Sequence, residues 1–151
     1  MAYEQLKLNN QVCFRLYSAA RLIVRSYQPF LSRIGITYTQ YLVLMVLWEK
    51  DRQTVSAIGD RLLLETNTVT PLIKRMESEG LLTRARGQED GRQRIVALTP
   101  KGRELEKEAA EIPGCLMGTL HDCELSDGTL VSVVPYLDEI IAKLSAAPSG
   151  S

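Results

Sequence analysis

The chain has little cysteine, a single histidine and no long apolar run, and each scarcity removes a class of protein. Three cysteines in 151 residues, Cys13, Cys115 and Cys123, are too few and of the wrong parity for the closed disulfide framework of a small secreted scaffold. His121 gives, with Cys115 and Cys123, the pattern Cys-x5-His-x-Cys, which is not a zinc spacing. No metal and no cofactor are expected. The longest apolar stretch, Tyr41 to Trp48, is closed by Glu49 and Lys50, well short of the roughly 18 residues that a membrane span needs. The first residues, with Glu4 and Lys7 among polar neighbours, do not read as a secretion signal, so a cytoplasmic location and no membrane partner are expected. Net charge is absent as well, with 18 basic side chains balancing 18 acidic ones.

What is present is an ordinary globular composition, 45% hydrophobic and 24% charged, on a length that suits one domain spanning residues 1–151. The charges are unevenly spread. Residues 61–103 hold nine basic side chains against five acidic ones, a net of +4, and a basic middle in a neutral chain is the footprint expected of nucleic-acid contact.

Hydrophobic spacing places the elements. Val12, Leu16, Ala19, Ala20, Ile23, Val24, Tyr27 and Leu31 form one apolar stripe on a helix from Asn10 to Leu31, capped by Asn9 or Asn10. Thr37-x-x-Gln40 is a capping box for a second helix, Tyr38 to about Lys50, apolar nearly all round and therefore central. Val55, Ile58 and Leu62 mark a short helix. After a break at Leu63 to Glu65, Val69, Leu72, Ile73 and Met76 mark another that ends at Gly80. Leu81 to Arg86 and Arg94 to Thr99 read as two strands joined by a charged turn. Thr99-Pro100 caps and opens a helix through Leu105, Ala109 and Ile112, and Pro113-Gly114 interrupts it. Ser126-Asp127 opens a last helix with a kink expected at Pro135, followed by a frayed polar tail from Ser145.

This order predicts a mainly α (α+β) fold, a winged helix-turn-helix over about residues 54–99 between helical segments at about 8–33 and 100–147. In such a fold the second helix enters the major groove of double-stranded DNA. Thr66, Asn67, Thr68 and Thr70, with Pro71 on the same helix, are placed to face base edges, while Lys74 and Arg75 suit phosphates. Arg92 at the wing tip, supported by Arg84, Arg86 and Arg94, suits a narrow minor groove. Asp90 is expected to hold Arg92 through a salt bridge. The terminal helices carry more apolar surface than a domain of about 80 residues covers, so a homodimer on a pseudo-palindromic operator is expected.

Cys13 falls in the first turn of its helix, where the dipole favours a thiolate. Tyr17 and Tyr27 share its helical side, so phenol donors facing a sulfur anion in an apolar pocket are one reading. A buried, inert cysteine is the other.

The stretches Leu8-Asn-Asn-Gln-Val-Cys-Phe-Arg-Leu-Tyr17, Ile36-Thr-Tyr-Thr-Gln-Tyr-Leu42, Thr68-Val-Thr-Pro-Leu-Ile-Lys-Arg-Met-Glu77, Glu89-Asp-Gly-Arg92 and Leu98-Thr-Pro-Lys-Gly102 resemble the multiple-antibiotic-resistance regulator (MarR) family of dimeric winged-helix repressors. The Gln-x-Cys-Phe and Thr-Tyr-x-Gln-Tyr blocks narrow the resemblance to its organic-hydroperoxide-resistance (OhrR) branch, over about residues 5–113. The resemblance implies that Cys13 is oxidised by an organic hydroperoxide, that Tyr27 and Tyr38 donate hydrogen bonds to it, with Tyr17 a weaker third, and that DNA is then released. Some members use a resolving cysteine from the other subunit. Here Cys123 or Cys115 is available, with Cys123 preferred because it lies just before the last helix.

Three other readings compete with this one. They are a repressor released by a non-covalent aromatic ligand, a thiol peroxidase, and a winged-helix protein-interaction module. Induction that survives Cys13→Ser would favour the first. The second leaves the wing arginines without a reason, and salt-sensitive DNA binding excludes the third.

Overall fold

The element that orders the molecule is the helix with no polar face. In the computed structural model, which describes residues 3–146, this is α2 (Tyr38–Glu49), with Gln40, Tyr41, Val43, Leu44, Val46 and Leu47 all buried. Its first turn is fixed by both halves of the expected capping box. The Thr37 hydroxyl accepts the Gln40 N–H at 3.3 Å and the Gln40 side-chain oxygen accepts the Thr37 N–H at 3.1 Å.

Around α2 lie α1 (Val12–Arg33), β1 (Gln53–Thr54), α3 (Val55–Leu62), α4 (Thr66–Ser78), β2 (Leu82–Arg86), β3 (Arg94–Leu98) and α5 (Pro100–Ala109). The strands form one antiparallel sheet in the order β1-β3-β2, with Leu82 opposite Leu98 and Arg86 opposite Arg94. Ile58 of α3, Val69, Ile73 and Met76 of α4, and Val96 of β3 are fully buried against α2 and one another. This is the helix-turn-helix and wing expected from the sequence.

Local chemistry sets the joints. Leu63 closes α3 in the left-handed conformation at φ 58°. Just before it, a Cβ on Gly59 would lie 2.9 Å from the Leu64 carbonyl oxygen, so the tight turn needs glycine there. At the end of α4, Gly80 at φ +80° lets the Leu81 N–H reach back to the Met76 carbonyl, a Schellman closure. The Thr99 hydroxyl caps α5 through the Gly102 N–H at 3.1 Å, with Pro100 in the first turn.

Three joints differ from the sequence reading. α1 begins at Val12 with Gln11 as N-cap, and Asn10 does not cap it: the Asn10 side-chain amide donates to the Glu4 carbonyl at 2.7 Å instead. Arg15 likewise reaches back to the carbonyls of Asn9 and Gln11, so the segment before α1 is tied to the helix by its own side chains. Second, the interruption at Pro113-Gly114 opens a helix, α6 (Ile112–Asp122), because proline fits a first turn whose N–H has no partner in any case. Third, α7 (Asp127–Ala146), which contains Pro135, takes in Ser145 and Ala146, where the sequence pattern starts a frayed tail. The rest of that tail lies outside the described residues.

The two ends of the chain are barely covered. α1 packs on α2 and α6 but buries only Leu31, and α7 buries nothing. No single helix among the described residues is long and apolar enough to cross a membrane.

Candidate nucleic-acid interface and thiol site

Periodicity divides α4 into two faces. Val69, Ile73 and Met76 point into the core, which turns Thr66, Asn67, Thr68, Pro71, Lys74 and Arg75 to the surface, with Thr70 half-buried. The N-cap, Glu65, makes no side-chain capping bond, so the first N–H groups of α4 stay open toward whatever its first turn meets.

The wing tip folds on its own hydrogen bonds. The Asp90 carboxylate accepts the backbone N–H of Arg92 at 2.9 Å, and no salt bridge joins the two side chains among the described residues. Asp90 thus shapes the turn and leaves the Arg92 guanidinium free of it. Arg94 clasps the tip from below, donating to the Gly91 and Gln93 carbonyls at 3.2 and 3.4 Å. A Cβ on Gly87 would lie 2.7 Å from the Asp90 carbonyl oxygen, so that position needs glycine.

Arg84 is differently engaged. Its guanidinium donates to Glu77 Oε1 at 3.1 and 3.3 Å, and its backbone N–H donates to Glu77 Oε2 at 3.1 Å. These bonds brace β2 against α4, while Arg86 at the strand's end is exposed. Between α4 and the wing opens a cleft of about 280 Å³, walled by Thr54 and Ser56 of the β1–α3 junction, Thr66 and Thr70 of α4, and Arg84, Arg92, Gln93 and Arg94. Ser56 and Gln93 carry no sequence pattern that points here; only the fold brings them to this place.

The thiol side is divided. Cys13 is exposed in the first turn of α1. Tyr27 is fourteen residues further along the same helix, and at about 1.5 Å rise per residue the two are roughly 21 Å apart. Within one chain they do not meet. Tyr17, one turn from Cys13, is 66% exposed, its ring beneath the Arg21 guanidinium at 5.8 Å.

Tyr27 instead packs at a tilt against Tyr38 at the start of α2, ring centroids 5.0 Å apart, and both meet Tyr41, at 6.0 and 6.3 Å. Tyr41 is a third member that the sequence reading missed; a tyrosine on an all-apolar helix looked like core. Burial pushes all three phenols above the ordinary tyrosine range, with neighbouring phenols adding to the effect at Tyr27 and Tyr41. They stay protonated donors at neutral pH.

Cys115 and Cys123 are both exposed. Cys115 borders a cleft of about 300 Å³ with Phe30, Arg33 and Ile34 of α1. Cys123 caps the C-terminus of α6, where His121 Nε2 lies 2.7 Å from Asp127 Oδ1 across the joint to α7. Among the described residues no group of three or more His, Cys, Asp or Glu is arranged to hold a metal ion.

A helix-turn-helix with a basic wing on an antiparallel sheet defines a winged-helix protein. Residues 25–109 match the signature described as transcriptional regulator SarA/Rot, and the chain belongs to this family of regulators. It is 44% identical over 116 residues to the organic hydroperoxide resistance transcriptional regulator of Bacillus subtilis (strain 168), covering 77% of this chain and 79% of that one. The branch read from the sequence is thereby upheld. The matched family and this relative are both transcriptional regulators, so the chain is a regulator rather than the thiol peroxidase of the competing reading.

Solved structures of AbfR, a protein of Staphylococcus epidermidis, resemble it in three states. Reduced AbfR bound to DNA is 39% identical with a TM-score of 0.74, covering 93% of this chain and 96% of that one. Overoxidised AbfR bound to DNA gives 40% and 0.73, covering 93% and 97%. Disulfide-formed AbfR gives 37% and 0.59, covering 91% and 95%.

Proposed function

We propose that this chain is a cytoplasmic repressor that binds a pseudo-palindromic operator as a homodimer and releases it when an organic hydroperoxide oxidises Cys13. The observation that carries the reading is the separation of Cys13 from Tyr27, roughly 21 Å along one helix. A two-fold axis that lays α1 of one copy against its partner answers it, by bringing Cys13 of one subunit to the Tyr27–Tyr38 cluster of the other. The same pairing covers α1 and α7, whose apolar side chains otherwise face water: Val12, Tyr17, Val131, Tyr136 and Leu144 are each between 66% and 70% exposed.

On DNA, α4 enters the major groove and Arg92 the adjacent minor groove, so the sugar-phosphate strand between the two grooves crosses the arginine-walled cleft. Thr66, Asn67, Thr68, Thr70 and Pro71 meet the bases, and Lys74, Arg75, Arg86 and Arg94 meet phosphates, with Ser56 and Gln93 added by the cleft. Asp90 shapes the tip. Arg84 acts indirectly, by fixing the wing to α4.

The chemistry balances in two steps. The Cys13 thiolate attacks the terminal hydroxyl oxygen of the hydroperoxide; the S–O bond forms as the O–O bond breaks, sulfur gives up two electrons and keeps that hydroxyl as the sulfenic acid, and the alkoxide leaves and takes a proton from water to become the alcohol. The tyrosine O–H groups donate to the sulfur anion. A second thiol, Cys115 or Cys123 of the other subunit, then attacks the sulfenic acid, forming the S–S bond and expelling water. Disulfide geometry brings the two α carbons to about 4.4–6.8 Å, which pulls on the helices that set the spacing of the two recognition helices.

Both reduced and overoxidised AbfR are bound to DNA, which supports the disulfide step, and not oxidation of the sulfur alone, as the release trigger. This chain lies nearer in shape to both DNA-bound forms, one of them overoxidised, than to the disulfide form, although identities are nearly equal.

The test is operator binding by the purified reduced protein and after one equivalent of organic hydroperoxide, beside Cys13→Ser, Cys115→Ser and Cys123→Ser and with non-reducing gels. The parent loses roughly 5- to 150-fold in affinity and shows a disulfide-linked dimer. Cys13→Ser does neither, and one of the other two serine variants stays on DNA after oxidation. Release that persists in Cys13→Ser sinks this reading in favour of a non-covalent ligand.

A further inference from the structure

Gln40 is the one buried polar side chain among the described core residues, 2% exposed, and its amide is used at both ends. The carbonyl oxygen caps α2 through the Thr37 N–H at 3.1 Å, while Nε2 donates to Glu79 Oε2 at 3.0 Å. Glu79 is the C-cap of α4. Its backbone carbonyl is held in turn by Lys101 Nζ of α5 at 3.0 Å. One residue beyond Thr37 stands Tyr38, in ring contact with Tyr27 at 5.0 Å.

We propose that the Gln40–Glu79 hydrogen bond is the link that carries the oxidation of Cys13, met by the tyrosine cluster, into the orientation of the recognition helix. The inference rests on the reading above and adds the element that couples its two sites. The capping box makes the first turn of α2 rigid, so displacement of Tyr38 moves Gln40 with it. The amide passes that movement to the C-terminal end of α4. The base-facing residues sit at the other end of this helix, about 18 Å away at 1.5 Å per residue, so a small rotation at Glu79 becomes a larger shift at Thr66 to Thr70. A buried amide held at both ends has no room to let one helix slide past the other.

Three variants separate the link from the fold. Gln40→Glu keeps the capping box, since glutamate serves equally at that position, but sets two carboxylates face to face. Glu79→Gln keeps an acceptor for Gln40. The double variant exchanges donor and acceptor and restores the bond. All three are measured for operator affinity before and after oxidation, for Cys13 thiol loss and for thermal midpoint.

The reduced-to-oxidised affinity ratio falls roughly 3- to 30-fold in Gln40→Glu, stays near the parent in Glu79→Gln and returns in the double variant. Cys13 oxidises at the same rate in each. A ratio unchanged in Gln40→Glu, or not recovered in the double variant, overturns the link and leaves the peroxide reading standing; a parent with no ratio at all overturns both. Should Gln40→Glu fail to fold, Glu79→Ala removes the acceptor without touching the Thr37–Gln40 box and carries the same expectation.

Discussion

The middle of this chain and its two ends solve burial differently. From α2 to β3, Leu44, Ile58, Val69, Ile73 and Val96 are each at 0% exposure. α7, with Val133, Val134, Leu137, Ile140 and Ile141 on an apolar stripe, buries no residue at all. An amphipathic helix of that length gains its stability from packing more than from propensity. The DNA-reading half is therefore complete in one chain, and the terminal helices, on the proposal above, are completed only by a second.

The largest test of the contrast is a pair of truncations. Leu44→Ala empties a fully packed site and lowers unfolding stability by about 2–5 kcal/mol at any protein concentration. Leu144→Ala removes the same side chain from a helix end that is 70% exposed, and within one chain its effect stays near the surface range of about 0.5 kcal/mol. Chemical denaturation across a range of protein concentrations reads both. A concentration-independent loss of several kcal/mol in Leu144→Ala contradicts the division.

The same division marks what was legible in the sequence. Elements whose signals are local were readable: the Thr37–Gln40 box, the Thr99–Pro100 start, the glycine stop at Gly80. Their physics lies within four or five residues. The rest needed distance in three dimensions. Helical periodicity put Cys13 and Tyr27 on one face and gave no account of the 21 Å or so between them along the axis. Glu77 and Arg84 pair across a helix, a turn and a strand, for which no spacing rule exists, so Arg84 read as a DNA contact. Sequence spacing pairs Asp90 with the Arg92 side chain, whereas its carboxylate serves the backbone N–H, as aspartate often does in turns. α6 was hidden because Pro113-Gly114 reads as a stop, although proline opens helices as readily as it ends them.

A smaller effect sharpens the contrast from the other side. Val134→Glu with Ile141→Glu sets two carboxylates on the stripe of α7. Neither side chain is buried within the chain, so monomer folding is spared, while association weakens by at least about thirtyfold if each position contributes as a central interface residue does. Sedimentation shifts from dimer to monomer, and operator affinity falls with it because half-site binding loses its partner. A double variant that remains dimeric and fully bound would show that α7 is not the face that pairs.

The smallest effect comes from the tyrosines where the two regions meet. Tyr27 belongs to α1 and Tyr38 and Tyr41 to α2, and burial raises all three phenols above the ordinary value of 10.0. A folded-state value above the unfolded one means that the folded chain holds these protons more tightly. Their contribution to stability is fully present below pH 10 and is lost as pH climbs from there through the raised values. Tyrosinate absorbance of the cluster then forms a late class above the ordinary phenol range, and Tyr27→Phe removes part of both that late class and the alkaline loss of stability. Pairing of a second copy over the cluster deepens its burial, so the late class titrates higher in the parent dimer than in the Val134→Glu, Ile141→Glu monomer. Equal titration in the two would place the cluster away from the subunit interface and remove the support it lends to a site shared between chains.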